Sequence, residues 1–366
     1  MIHINALLKL MIEKGASDLH MRVGVNPVLR VNGDLFRLQT DRLTMEDMDV
    51  VLNDIMKPLQ AETFRRDNEV DFAYSLKDVG RFRVNAYRQR GTPSVAIRSI
   101  RTDPPQFVEL GLPQVILDIA MHKRGLILVT GTTGSGKSTL LAAMIEHINN
   151  NASSNIVTIE DPIEYLYKDK RCIIAQREIG ADTDSFSDAL RASFRQDPDI
   201  ILIGEIRDRE TMETALSAAD TGHLVMSTVH TMNAVETISR IISFFPPYQH
   251  DQIRMLLGNV LVSVISLRLL PRKDGLGRIP ATEILINTAN IAELLHKPDQ
   301  SHMILQAIGE GYNQYGSQTF DQSLIRLYQD DLITLQTAKR YASNPDDFDL
   351  QVRGVQGTSD RRWMIQ

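Results

Sequence analysis

Residues Gly131-Thr132-Thr133-Gly134-Ser135-Gly136-Lys137-Ser138 satisfy the pattern G-x-x-x-x-G-K-[ST]. The apolar run Leu126-Ile127-Leu128-Val129 precedes them, and Leu140, Leu141, Met144, Ile145 and Ile148 follow at three- and four-residue spacing. That order predicts strand, loop and helix, a context that a glycine-rich turn matching by chance would lack. Without a Cβ, the glycines let backbone N–H groups close around phosphate oxygens. The start of the helix adds partial positive charge at the same place. Lys137 is then the candidate for the β- and γ-phosphates and the Ser138 hydroxyl for a magnesium position. The candidate nucleotide loop runs from Gly131 to Thr139.

Outward from this loop the pattern is α/β. Strand candidates are Leu126–Thr130, Ile156–Glu160, Ile173–Gln176, Ile200–Ile203 and Leu224–Thr228, with helical segments between most of them. Near-continuous apolar strands of this kind predict a largely parallel sheet covered on both faces. A hairpin is expected at Asp274-Gly275-Leu276-Gly277, a strand around Glu283–Ile286, and helices to about Tyr341. The segment from 343 to 366 reads as a polar tail.

Three stretches carry candidate chemistry. Thr158-Ile159-Glu160-Asp161-Pro162-Ile163-Glu164-Tyr165 puts three carboxylates at a strand end, where an acid can orient water or hold magnesium through water. An acidic turn broken by Pro162 is the plainer alternative. Asp199-Ile200-Ile201-Leu202-Ile203-Gly204-Glu205 is an apolar strand ending in an acid, with glycine where an aspartate usually stands. Glu205 must therefore serve alone or through water. His223 and His230 bracket the strand Leu224–Thr228. His223 reads as a packing residue, and His230 stands where a γ-phosphate sensor could sit. The two histidines lack a third ligand nearby, which argues against a metal site.

Composition sets bounds. The chain has 366 residues, enough for about two domains, with 43% hydrophobic and 23% charged residues. A net charge of −6 and a pI near 5.9 argue against a dedicated nucleic-acid binder. The one cysteine, Cys172, excludes a disulfide framework and a four-cysteine zinc module, and fits a reducing compartment. No secretory signal is expected, and Val260 to Leu270, which contains Arg268, is too short to span a bilayer. A cytoplasmic chain that meets a membrane only through a partner is the expectation.

The N-terminal third reads as a small α+β domain. Leu7, Leu8 and Met11 form a helical stripe that Gly15 can end, and Asp18-Leu19-His20-Met21 is a short strand. Val28–Val31 and Asp34–Leu38 flank Asn32-Gly33, a hairpin signal. Thr44 can cap a helix to about Met56, with Asp47 in place of the glutamate that a capping box prefers. In Arg81–Gln89, Phe82, Val84 and Ala86 alternate with Arg81, Arg83, Asn85 and Tyr87; Val95–Ile100 is the next strand. Asp103-Pro104-Pro105 reads as a short stiff linker. The expected division is residues 1–102, a linker at 103–106, a nucleotide domain at 107–342, and the tail.

These motifs together resemble the secretion-ATPase superfamily of type II secretion and type IV pilus systems, from Gly15-Ala16-Ser17-Asp18-Leu19-His20 to Thr319-Phe320-Asp321. Gly80-Arg81-Phe82-Arg83-Val84-Asn85-Ala86 and Gln176-Arg177-Glu178-Ile179-Gly180 are most similar to its type IV pilus retraction branch, the PilT/PilU group. The resemblance implies a RecA-like P-loop core with a PAS-like N-terminal domain, assembled as a homohexamer that binds ATP and magnesium between its two domains. It implies Glu164 as general base, Glu205 at the Walker B position, and Arg81, Arg83 and Arg98 as phosphate ligands. It further implies an inner-membrane platform protein of the pilus base as partner, a peripheral cytoplasmic location, and pairing with a paralogous retraction ATPase. Retraction ATPases often carry Ala-Ile-Arg-Asn-Leu-Ile-Arg where this chain has Asn290-Ile291-Ala292-Glu293-Leu294-Leu295-His296. Both arginines are replaced, so a principal and an accessory motor both stay open. A pilus-assembly or type II secretion ATPase and a nucleic-acid translocase are the rival readings.

Overall fold

A computed structural model describes residues 3–31, 33–100 and 103–352 of the chain, which divides into two compact units. The first comprises Met1–Asp103 together with Pro162–Tyr167. Its strands are β1 (Asp18–Arg22), β2 (Val28–Val31), β3 (Asp34–Arg37), β4 (Glu69–Leu76), β5 (Gly80–Gln89) and β6 (Thr92–Ile100). They form one antiparallel sheet in the order β3-β2-β1-β6-β5-β4. Helices Ile4–Glu13 and Met45–Ile55 supply Leu8, Met11, Met48 and Val51 to a core with Leu19, Phe82, Val84 and Ile97 of the strands. The capping box of the second helix is complete: Thr44 Oγ1 accepts from Asp47 N, and Asp47 Oδ2 accepts from Thr44 N, each at 3.1 Å. The shorter aspartate closes a motif that usually takes glutamate.

Two elements of this unit go beyond the sequence reading, helix Pro58–Asp67 and strand β4. Val70, Phe72, Tyr74 and Leu76 alternate along β4, so the period-two signal was present. Asn32, half of the hairpin signal, lies outside the described residues; β2 and β3 pair antiparallel on either side of that turn.

The second unit comprises Pro104–Asp161 and Lys168–Gln366. Its strands are β7 (Gly125–Thr130), β8 (Asn155–Glu160), β9 (Ile173–Glu178), β10 (Ile200–Ile203), β11 (Leu224–Val229), β12 (Leu261–Pro271) and β13 (Arg278–Ile286). They lie in the order β13-β12-β7-β11-β10-β8-β9. All neighbouring pairs are parallel except β12 with β13. Every residue of β7, β10 and β11 is buried, which requires cover on both faces of the sheet.

The apolar stretch that the sequence reading only judged too short for a membrane is strand β12. Arg268 is accommodated there because its guanidinium lies 3.7 Å from the centre of the Phe320 ring and donates to the Tyr341 carbonyl at 2.9 Å. Burial nevertheless pushes this guanidinium below its ordinary pKa, against the pull of Glu283 and Asp321. Beyond Tyr341, helix Pro345–Val352 opens the segment read as polar, and its Phe348 is buried against Phe320 and Leu324 of the same cluster. Among the described residues, no helix is long and apolar enough to cross a membrane.

The alternation along β5 has a measurable consequence. Phe82 is fully buried, so Phe82→Ala is expected to cost about 3–5 kcal/mol. Half-exposed Arg83 on the opposite face is expected to cost about 1 kcal/mol or less on conversion to alanine. Denaturant melts of the two variants check this; equal losses would contradict the assigned faces.

Candidate nucleotide site

Parallel pairing decides where the chemistry lies. Thr130 of β7 is opposite Val229 of β11, Ser227 of β11 opposite Ile203 of β10, and Ile203 opposite Ile159 of β8. The loops that leave these strands therefore emerge at one edge of the sheet: the glycine loop, the turn holding His230, Gly204-Glu205, and the start of the acidic stretch. The carboxyl edge of a parallel sheet is where such folds bind ligands.

The glycine loop is built to close on an anion. Gly131 has φ +139°, and a Cβ there would stand 2.5 Å from the Leu267 carbonyl oxygen and 2.5 Å from Ser135 Oγ. Thr132, Thr133 and Gly134 are exposed, and Gly136 occupies the N-cap of helix Lys137–Asn151, whose first turn holds Ser138 and Thr139. Lys137 is buried and donates from Nζ to the carbonyls of Gly131 at 2.9 Å and Thr132 at 3.1 Å. Ser135 Oγ is buried without a hydrogen bond. A phosphate fits this cradle, because it brings acceptors to a hydroxyl that has none and to an ammonium that already meets the Gly131 and Thr132 carbonyls. Among the described residues, no three His, Cys, Asp or Glu side chains form a metal cage. Magnesium would depend on Ser138, on Glu205 through water, and on phosphate oxygens, the usual situation for this small cation.

Glu205 is held from two sides. Arg207 pairs with its Oε1, and that contact raises the Arg207 pKa. Oε2 is buried without a hydrogen bond, with His230 Nε2 3.4 Å away. The preceding glycine has a packing reason. A Cβ on Gly204 would meet the Ile159 carbonyl oxygen at 3.3 Å and Glu160 Cα at 3.4 Å, so an aspartate would press on the end of β8. Thr228 Oγ1 donates to the Gly204 carbonyl at 2.8 Å, tying β11 to the same turn.

The three carboxylates at and beyond the end of β8 separate. Glu160 Oε1 accepts from Thr158 Oγ1 at 2.7 Å and from Gln176 Nε2 at 3.2 Å, which occupies it structurally. Asp161 is exposed and favours the charged Arg207. Glu164 is exposed between buried Ile163 and Tyr165, in the segment that groups with the first unit. His223 serves packing: its Nδ1 is 3.0 Å from the Ala218 carbonyl, near the end of helix Arg209–Asp220, and its ring meets Phe194 edge-on at 5.7 Å.

In the first unit, register lines up Arg30, Asp18, Arg98 and Arg83 across β2, β1, β6 and β5. Asp18 accepts from Arg98 Nε at 2.8 Å and lies 3.9 Å from Arg30 Nε. Burial opposes ionisation of Asp18, but hydrogen bonds from Ser17 and Arg98 hold its carboxyl below the ordinary range. Two guanidiniums of this row thus share Asp18, while the third, Arg83, has Asp71 of β4 3.9 Å from its Nε. Arg81 extends from the same strand two residues before Arg83. The sequence pattern picks out the face of these arginines; the excess of cations appears only once β1 and β6 are paired. Arg207 was missed altogether, although it stands two residues beyond Glu205.

Comparison with known proteins follows the same outline. The family described as Type II/IV secretion system protein matches residues 1–315. Two relatives from Pseudomonas aeruginosa are each 42% identical to this chain. One, named type IV pilus ATPase PilU, aligns over 95% of this chain and 90% of its own length. The other, named type IV pilus retraction ATPase PilT, aligns over 94% and 99%. A crystal structure of the pilus retraction motor PilT with bound ADP superposes with a TM-score of 0.87 at 44% identity, covering 95% of this chain and 99% of that one.

Gly131→Ala tests the cradle. Both the strained backbone and the crowded Cβ act against it, and about 1–3 kcal/mol of strain corresponds to roughly tenfold weaker nucleotide binding or more. Titration with a fluorescent ATP analogue reads this, with circular dichroism as the check on folding; unchanged affinity would refute the close packing.

Proposed function

The chain belongs to the type II/IV secretion system protein family, and from that premise we propose that it hydrolyses ATP to drive retraction of type IV pili. Likeness to PilT and PilU over nearly the full length of all three chains carries this reading. The strand-edge site supports the chemistry.

In this reading the loop from Gly131 to Thr139 grips the triphosphate, and Lys137 exchanges its two carbonyl partners for the β- and γ-phosphates. Magnesium, when bound, would neutralise phosphate charge, and Ser138 and Glu205 are the residues that would hold it, Glu205 through water. Glu164 orients or deprotonates the attacking water. His230, beside Glu205, responds to the γ-phosphate. Arg81, Arg83 and Arg98 add positive charge; the cationic row across the first sheet supports that role. The motor is a homohexamer at the cytoplasmic face of the inner membrane. It acts on a platform protein of the pilus base, as principal motor or alongside a paralogous ATPase. Replacement of both arginines in the Asn290–His296 segment favours the accessory role.

Two experiments test the reading. Glu164→Gln is expected to keep ATP binding and lower turnover by about a hundredfold or more, as loss of a general base does. If Glu205→Gln is the variant that stops turnover while Glu164→Gln is normal, the base is misassigned. A deletion strain is expected to make long, abundant pili that fail to retract, and Lys137→Ala is expected not to rescue it. Absence of pili would point to assembly instead.

A further inference from the structure

Glu283 is a buried carboxyl that the mechanism above does not use. It sits on β13, 3% exposed, and its Oε1 accepts the Ala234 backbone N–H at 2.7 Å. Ala234 is the first residue of helix Ala234–Ser243 and stands four positions after His230. The other bonds around this turn are local to it. Asn233 Oδ1 accepts from Glu236 N at 2.8 Å, Glu236 Oε2 from Met232 N at 2.9 Å, and the Thr231 and Thr237 hydroxyls are 2.7 Å apart. Glu283 reaches in from another strand, 49 residues away in sequence.

Its place in the sheet is equally specific. Glu283 is opposite Ser266 of β12, and Ser266 is opposite Thr130 of β7, whose Oγ1 donates to Ser266 Oγ at 2.9 Å. Thr130 immediately precedes Gly131. One row across three strands therefore begins at the glycine loop and ends at the carboxyl that holds the His230 turn. A buried acid is costly to keep, and an apolar side chain would fill this place at less cost unless the oxygen is needed. Burial pushes the carboxyl up to about 7, opposed by the Ala234 N–H bond and by Arg268 of β12, and reinforced by Asp321 of helix Phe320–Gln329. Charged or neutral, it still presents an oxygen that accepts from Ala234.

We propose that Glu283 is a positioning residue for ATP hydrolysis, clamping the first turn of helix Ala234–Ser243 to β13 and so fixing His230 against Glu205. The proposal rests on the role given to His230 above. The clamp needs an acceptor oxygen and not a charge, so glutamine serves and alanine does not. In the full-length protein, Glu283→Ala is expected to lower kcat about tenfold, the rate equivalent of one buried hydrogen bond, with KM for ATP within about twofold. Glu283→Gln is expected to stay within about threefold of wild type. Equal losses in both variants, or a rise in KM alone, would overturn the proposal. Should Glu283→Ala not fold, Glu283→Asp, shorter by one methylene, takes its place in the comparison with glutamine.

Two readouts separate this proposal from the one beneath it. Backbone amide exchange over residues 230–237 is expected to quicken in Glu283→Ala and to stay at the wild-type rate in Glu283→Gln. Unchanged exchange in the alanine variant, with His230→Ala slow, sinks the clamp and leaves His230 standing. A fully active His230→Ala sinks the role of His230, and the catalytic part of this proposal with it. In a double variant with His230→Ala, adding Glu283→Ala is expected to cost no more than about twofold further, because both changes act through one group. Fully additive losses would place the effect of Glu283 elsewhere.

Discussion

Insertion of β11 between β7 and β10 sets the geometry on which the second unit depends. Strands in a sheet are about 4.8 Å apart, so the strand that opens the glycine loop and the strand that ends at Glu205 are separated by roughly 9.5 Å. Direct pairing of β7 with β10 would bring Glu205 to one spacing, beside the glycine loop itself. The interposed strand leaves two strand spacings between the glycine loop and Glu205, and it puts the turn after β11, with His230, in the middle of that gap. Because the strands are parallel, all of these groups share one edge, and none needs a long loop to reach the others.

The same edge is crowded, and crowding accounts for its composition. The end of β8 runs so close to position 204 that only glycine fits without displacement. The acid is therefore carried one residue later, at Glu205, where Arg207 and His230 flank it. Glu160 has the composition of a catalytic acid but the surroundings of a structural one, since Thr158 and Gln176 both bond to it. Position 164 lies past Pro162, where the backbone has left the sheet and the residue is exposed. Residue type alone cannot divide these three carboxylates; their neighbours do.

What was legible in the sequence follows from how local each signal is. The glycine loop, its strand and its helix are contiguous, so spacing alone identifies them. Phe82, Val84 and Ala86 betray their face by alternation, and Thr44 with Asp47 marks a helix start within four residues. Three features were not legible. β12 is apolar without alternating, so its sequence states burial but not partners; its place beside β7 is a matter of topology. The cationic row of Arg30, Arg98 and Arg83 joins residues from three strands, two of them on Asp18, and no linear pattern encodes that register. Glu283 reads as an ordinary acid near a strand end, and only the fold brings it to the start of a helix far upstream in the chain. The proposal of Glu164 as general base comes from likeness to a family and not from any spacing in this chain.

Lys137 gives the glycine loop a property of its own. A buried ammonium with no partner would strain the loop and favour its opening. Here the loop's own carbonyls, from Gly131 and Thr132, solvate it. The loop thus carries its own oxygen ligands for the cation, and under the proposed function a nucleotide would exchange with them for the lysine. The same exchange would run in reverse after hydrolysis: the Gly131 and Thr132 carbonyls would take the cation back, and the departure of product would be helped by a ligand that never leaves the protein.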